Sequence, residues 1–215
     1  MSNLKALANL LAKPKRLKAL LSYGHKGYLK SIGWFTAFDQ QQAVDENGNP
    51  LPWVTYSFID FIKERLNKSQ NIFEYGSGSS TLFYADKVAT VTSVEHDETW
   101  LNKIKNTSPA NAEMIYCILA TDGEYAKKAT LLNKKFEVII VDGRDRVNCC
   151  KYSINALTEN GVIVLDDSER LAYEPARKLL TTNGFKELSF SGISPGLFYN
   201  KATSVFYKTN NCLGI

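Results

Sequence analysis

Two short stretches hold the residue types that could do chemistry together: Asn71 to Ala85 (NIFEYGSGSSTLFYA) and Val91 to Asp97 (VTSVEHD). The first reads as a strand, a glycine-bracketed turn and a helix start, and the second as a strand ending in a carboxylate. Gly76 permits a tight turn off the strand end, and Gly78 lets a ligand lie against bare backbone. Glu74 and Glu95 stand 21 residues apart, close to the ~20 expected when the acid ending the second strand holds the ribose hydroxyls of a nucleoside. A dinucleotide site normally adds a third glycine for the pyrophosphate and for close helix packing; Thr81 stands there instead. Ser79, Ser80 and Thr81 open the helix with hydroxyl and N–H groups that suit a small carboxylate at a helix N-terminus. The pattern favours a nucleoside with an amino-acid tail.

With E-x-G-x-G-S followed by V-E-H-D, the chain resembles the class I S-adenosylmethionine-dependent methyltransferases over about residues 51–208. The resemblance implies that the first glycine-rich loop cradles the methionine portion and that the acid after the second strand binds the ribose. Those roles fall on Glu74, Gly76, Ser77, Gly78 and Glu95, with the backbone bend beginning at Tyr75 and continuing to Ser79. It also implies that Asp122 and Gly123, after the third strand, meet the adenine amino group. The implied cofactor is S-adenosyl-L-methionine.

Several elements must position these residues. Apolar, β-branched runs recur at 71–75, 91–95, 114–119, 136–142 and 161–166, as in strands buried on both faces of a parallel sheet. Helices are expected at about 79–87, 97–106, 147–158 and 171–182, making βα units. The end differs, because 185–191 and 203–208 are strands joined by a Gly/Pro-containing loop without a helix, which favours an antiparallel pair. The expected fold is α/β, a Rossmann-like three-layer sandwich whose seven-stranded, mostly parallel sheet ends in an antiparallel hairpin. Such a hairpin is similar to the methyltransferase arrangement and unlike a standard dinucleotide fold. Upstream, residues 39–54 read as a loop, and Ser57 with Asp60 resembles a capping box opening a helix at about 57–68.

Ligands in open α/β sheets bind outside the carboxyl ends of the strands. That places Asp142, in VDGRDR, with Asp166 and Asp167, in LDDSER, at one edge of the pocket. Three gathered carboxylates repel unless protonated or bridged by a cation, and oxygen ligands suit magnesium or calcium. The arrangement resembles metal-dependent small-molecule O-methyltransferases, except that Asp167 is an acid where that family usually has an amide. Three readings stay open: Asp142, Asp166 and Asp167 as ligands of a divalent cation such as Mg2+; Asp142 or Asp166 as a metal-free acid or base; and structural roles, with Asp166 or Asp167 capping a helix and Asp145 paired with Arg144 or Arg146. His96 is placed to contact adenosine, to act as a general base, or only to hydrogen-bond in its loop. Trp53 and Tyr56 are the candidates for covering the cofactor and keeping water from the sulfonium, and residues 192–201 for an acceptor-side loop.

The chain has 215 residues, 44% of them hydrophobic, enough for one substantial core. The expected division is a basic helical extension over residues 1–38 and a methyltransferase-like domain over 39–215. All seven cations before Asp39 (Lys5, Lys13, Lys15, Arg16, Lys18, Lys26 and Lys30) precede the first acid, so the extension carries +7 of a net +4 and the remainder −3. A mildly acidic body weighs against nucleic acid and favours a small hydroxylated or sugar-containing methyl acceptor. Leucines at 4, 7, 10 and 11, then 17, 20 and 21, point to two short helices broken at Pro14. They either pack on the domain or a partner subunit, or lie on anionic lipid or another polyanion. Four cysteines without metal-ligand spacing read as reduced thiols, so cytoplasmic residence is the expectation, with a protein contact or a peripheral membrane contact as the alternatives for residues 1–38. The competing functions are an NAD-dependent oxidoreductase and a non-catalytic nucleoside-binding module tethered by the basic segment. Oligomeric state is not legible.

Overall fold

A computed structural model describes residues 3–215; residues 1 and 2 of the expected extension lie outside them. Seven strands form one sheet: β1 (Asn71–Tyr75), β2 (Thr90–Glu95), β3 (Ala112–Tyr116), β4 (Phe136–Val141), β5 (Leu157–Asp166), β6 (Lys186–Gly192) and β7 (Lys201–Tyr207). Their spatial order is β3-β2-β1-β4-β5-β7-β6. The first five pair in parallel, while β7 runs antiparallel between β5 and β6. The expected hairpin is therefore present, with its second strand inserted against β5.

Ten α-helices lie among the described residues: α1 (Asn3–Leu11), α2 (Pro14–Ser22), α3 (Tyr28–Ser31), α4 (Trp34–Gln40), α5 (Tyr56–Lys63), α6 (Ser79–Lys87), α7 (Glu98–Lys105), α8 (Glu124–Leu131), α9 (Arg146–Ser153) and α10 (Glu174–Thr182). Side chains alternate across the strands, as a two-residue period requires. Ile139 and Val141 of β4, with Phe73, Tyr75, Ile163 and Leu165, pack against Tyr125, Ala129, Cys149 and Leu180 from α8, α9 and α10. Val138 and Ile140, with Ile72, Val162 and Val164, pack against Phe58, Ile62, Phe83 and Tyr84 from α5 and α6. Each such fully buried aliphatic or aromatic side chain contributes about 1.5–3 kcal/mol. These two layers explain why the central strands read as continuous apolar runs. The four cysteines are free, as expected of reduced thiols.

Several elements differ from expectation. The crossover between β3 and β4 contains α8, which the polar run EYAKKATL conceals because only Tyr125, Ala126 and Ala129 are buried. The helix α5 begins at Tyr56 after Thr55, with no side-chain cap. Ser57 instead reaches Ser191 O (3.4 Å), and Asp60 pairs with Lys63 on the surface, so the expected capping box is absent. Helices α1 and α2 stop and start around Pro14 as read, but neither contributes a buried residue, and Leu4, Leu7, Leu11, Leu20 and Leu21 stay exposed.

The segment from α4 to α5 clamps the β6–β7 loop. Trp34 Nε1 donates to Leu197 O (2.8 Å), Trp53 Nε1 donates to Pro195 O (2.7 Å), and Tyr56 N donates to Ile193 O (3.0 Å). Gly196 has φ +67°, and a Cβ there would lie 3.0 Å from Ala37 O, so only glycine lets α4 approach this closely. The clamp builds one wall over the carboxyl ends of the strands.

Candidate functional site

A cleft of about 870 Å³ opens at that edge, lined from β1 and its loop, the end of β2, the turns after β4 and β5, the α4–α5 segment and the β6–β7 loop. It straddles β1 and β4, where the strand order reverses, the place at which open α/β sheets bind ligands. Its walls include Glu74 to Ser79, Glu95, His96, Asp142, Asp166, Asp167 and Trp53. Tyr56, Asp122 and Gly123 do not line it. The Tyr56 side chain belongs to the core beside α5. Asp122 faces Lys151 (3.6 Å) on the outside, and Gly123 sits in a turn tight against Ala120. The structure does not bring Asp122, Gly123 or Tyr56, expected at the adenine and as cover, to the cleft walls.

The loop after β1 is set by its glycine. Gly76 has φ +92° and its N–H donates to Val94 O (2.9 Å), turning the chain across β2. Gly78 is extended, and a Cβ there would make an ordinary 3.8 Å contact with the Trp100 ring, so its backbone conformation does not demand glycine. Gly143, unremarked in the sequence, is the tighter position: a Cβ would lie 2.1 Å from the Tyr125 hydroxyl and 3.0 Å from Gly76 N. The loops after β1 and β4 touch through that glycine.

Two carboxylates anchor the loop. Glu74 is buried and accepts hydrogen bonds from the Ser80 hydroxyl, from Thr81 Oγ1 (2.6 Å) and from Ser93 Oγ (2.8 Å). Burial pushes Glu74 above the ordinary carboxylate range, against the pull of those hydroxyls. Its oxygens are thus committed to holding α6 on the sheet. Tyr75 likewise contributes only main chain, since its ring is in the core and its hydroxyl donates to Ala126 O (2.7 Å). Glu95 Oε2 accepts from Ser77 N (3.0 Å) and Ser77 Oγ (3.1 Å), while Oε1 accepts from His96 N (2.7 Å) and Asp97 N (3.0 Å). His96 Nδ1 stands 2.8 Å from Oε1, without hydrogen-bond alignment. Because the Ser80 and Thr81 hydroxyls turn inward to Glu74, the groups left for an anion at the start of α6 are the N–H groups of Ser79 and Ser80, which have no partner among the described residues.

The acids at the far end are neutralised by cations of the chain itself. Arg146, at the start of α9, lies 2.9 Å from Asp142, 3.7 Å from Asp166 and 3.3 Å from Asp167. Lys201, opening β7, lies 2.6 Å from Asp166 and 3.0 Å from Asp167, and Arg170 lies 2.9 Å from Asp167. Asp166 also accepts from Thr203 Oγ1 (2.7 Å). Three carboxylates meet three cations, and Arg146 and Lys201 occupy the positions from which a divalent ion would have to draw its ligands. Among the described residues no group of acids, histidines or cysteines is arranged to hold a metal. The expected cation site at Asp142, Asp166 and Asp167 does not fit this donor set. The Arg146 pairing also corrects the expected pairing with Asp145, which accepts instead from Asp122 N (2.9 Å) and Asn148 Nδ2 (2.9 Å). Neither Asp166 nor Asp167 caps a helix; the residue at the N-cap of α10 is Tyr173.

Asp142 differs from its neighbours in keeping 23% of its side chain exposed to the cleft. Burial, then the Asp166 carboxylate, push it well above the usual range, against the opposing charges of Arg146 and Lys201. A carboxylate with its ionisation displaced upward and one side on the cleft is placed to accept a proton from a bound molecule. His96 is not grouped with these acids. It follows β2, two strands from β4, or about 10 Å across the sheet, which places it beside Glu95 at the ribose end.

From the sequence, Arg146 is given only a pairing with Asp145, and Lys201 no role among the acids. The i,i+4 spacing of Asp142 and Arg146 across the turn into α9 was a readable signal. Lys201, 35 residues from Asp166, was not. Trp100, which donates from Nε1 to Ser77 O (2.8 Å), forms the outer wall beside Gly78.

No protein-family model matches the chain, and no curated protein matches it. Solved structures do. The chain is similar to a methyltransferase-like protein from Silicibacter pomeroyi, with a TM-score of 0.53 and 20% identity over 74% of this chain and 89% of that one. It is similar to precorrin-6y C5,15-methyltransferase from Geobacter metallireducens, with a TM-score of 0.55 and 13% identity over 80% and 96%. It is also similar to NSun6 from Pyrococcus horikoshii, solved with SFG, with a TM-score of 0.54 and 14% identity over 74% and 53%. At these identities the likeness establishes the fold, which is the Rossmann-like fold of class I methyltransferases.

The charge network makes a stability prediction. Arg146→Ala leaves Asp142, Asp166 and Asp167 with two cations and should destabilise the fold by about 3–5 kcal/mol, the usual cost of unpairing a buried ion pair. Urea denaturation of the variant beside the parent protein measures it.

Proposed function

We propose that the chain is an S-adenosylmethionine-dependent methyltransferase acting on a hydroxyl of a small, hydroxylated or sugar-containing molecule. The observation that carries this reading is the cradle itself: bare backbone at Gly76 and Gly78, free N–H groups at Ser79 and Ser80, and the Glu95 carboxylate, all on one cleft at the switch point of a sheet whose seventh strand is inserted antiparallel. A nicotinamide-dependent oxidoreductase is disfavoured. Thr81, at the third-glycine position, fills that space and is tied to Glu74 and to Gly78 N (3.1 Å), and β7 has no counterpart in a standard dinucleotide sheet.

The residues present fit the cofactor. Ser79 and Ser80 N–H groups meet the amino-acid carboxylate at the start of α6. Glu95 accepts from the ribose hydroxyls, and because both its oxygens are already occupied, the Ser77 hydroxyl must rotate away to admit them. Trp100 and His96 wall the nucleoside end, and Trp53, fixed by Pro195, covers the other. When bound, the sulfonium supplies an electrophilic methyl group that passes to the acceptor oxygen in one displacement and leaves a neutral thioether. Asp142 accepts the proton released from the acceptor hydroxyl, and Arg146 holds the Asp142 carboxylate in place. Leu197, Tyr199 and Lys201 of the β6–β7 loop line the acceptor side, and the volume of about 870 Å³ suits a cofactor with a small acceptor rather than a polymer. Most of the rate then comes from alignment of oxygen, methyl and sulfur.

Binding is tested by thermal shift. S-adenosylmethionine or S-adenosylhomocysteine at 100 times the dissociation constant stabilises by about 2.7 kcal/mol, or about 5–10 °C for a chain of this size, and NAD should give none. Glu95→Ala should weaken the cofactor about 10- to 150-fold, the worth of charge-assisted hydrogen bonds, and Gly76→Arg should abolish binding. A shift with NAD alone would reverse the assignment. Chemistry is tested by the pH profile of methyl transfer. The Asp142 base works deprotonated, and since its ionisation is displaced upward, the rate should rise with pH along a limb above the ordinary carboxylate range. Asp142→Asn should remove the limb and lower kcat by about 10²–10⁴.

A further inference from the structure

We infer that α1 and α2 dock on an anionic lipid bilayer, lying in the plane of its surface. Neither helix contributes a buried residue. On α1, Leu4, Leu7 and Leu11 fall on one face and are exposed, Leu4 to 80%; on α2, Leu20 and Leu21 share a face and are exposed. Lys5 lies off the stripe on α1, and on α2 Lys15 lies opposite the leucines with Arg16 and Lys18 flanking them. A helix that shows water a leucine stripe and backs it with lysine has the build of an interfacial helix. Nine residues per helix are too few to cross a bilayer, and among the described residues no helix is long and apolar enough to do so.

The charge distribution selects the occupant. Residues 1–38 hold seven cations and no acid, whereas the remainder of the chain is at −3. An anionic surface therefore attracts this segment and repels the body, which fixes the orientation of the molecule. A nucleic acid would use the cations but leave the leucines in water. A second copy would bury the leucines but bring seven more cations against the first seven. A bilayer with anionic headgroups answers both features at once. The chain passes from α2 through α3 and α4 directly to Gln41, Gln42 and Ala43, which line the cleft, so docking holds the cleft near the membrane surface.

Co-sedimentation of the full chain with vesicles tests this. Mixed phosphatidylcholine–phosphatidylglycerol vesicles should bind it, pure phosphatidylcholine should not, and added salt should release it. Replacing Lys15→Ser, Arg16→Ser and Lys18→Ser together should weaken binding roughly a hundredfold, since each cation near the surface is worth about fivefold. Replacing Leu4→Ser, Leu7→Ser and Leu11→Ser should also release the protein, with both variants keeping the parent's thermal midpoint. Equal binding to neutral vesicles, or wild-type binding by the leucine variant, would overturn the inference. So would absence of vesicle binding, whether accompanied by tight binding to single-stranded RNA or by a dimer that the leucine variant dissolves.

Discussion

The contact on which the rest of this structure depends is the grip of the Glu95 carboxylate on the Ser77 N–H. It ties the turn leaving β1 to the end of β2, and with the Gly76 N–H on Val94 O it gives the loop its bend. Without it the start of α6 would not be aimed into the cleft, and the free N–H groups of Ser79 and Ser80 would have no fixed direction. Glu74 completes the arrangement from beneath by taking three hydroxyls, so the turn is held by one acid it covers and one acid it faces. The division of labour follows from bonding: the Glu74 oxygens are taken by three side-chain hydroxyls, whereas the one hydroxyl on Glu95, that of Ser77, can rotate away.

A second constraint lies at the other end of the cleft, where three carboxylates after β4 and β5 are brought together by the sheet. The chain meets their repulsion with the cations of Arg146 and Lys201. Both are mostly buried, and each touches more than one acid. Asp142 is left as the acid that still sees the cleft. The same charges that make the fold tolerate this cluster leave Asp142 partly open to the cleft and hold Asp166 and Asp167 buried among the cations.

Much of this was legible in the sequence, for a physical reason. A parallel sheet covered on both faces must be written as apolar runs, so β1, β4 and β5 stood out, and the glycine turn with its acid 21 residues on marked the ligand end. The terminal hairpin was readable because no helix fits between 192 and 201. Other features were hidden because they depend on long-range packing. Helix α8 shows the core only a narrow stripe; Gly143 matters only because Tyr125 and Gly76 converge on it; Lys201 meets Asp166 only once β7 lies beside β5. Three acids close in space read as a cation site until the basic partners, one of them remote in sequence, are placed among them. Asp122 and Gly123 are placed at the cleft by order along the chain, but the turn into α8 holds them outside it, and Tyr56, the first residue of α5, is drawn into the core.

The most direct test of the account is a crystal structure of the protein soaked with S-adenosylhomocysteine. The account requires the ribose hydroxyls on Glu95, the Ser77 hydroxyl rotated off that carboxylate, the amino-acid carboxylate on the Ser79 and Ser80 N–H groups, and the sulfur facing Asp142. Density for the nucleoside elsewhere, or a Glu95–Ser77 contact unchanged beside a bound ligand, would contradict it.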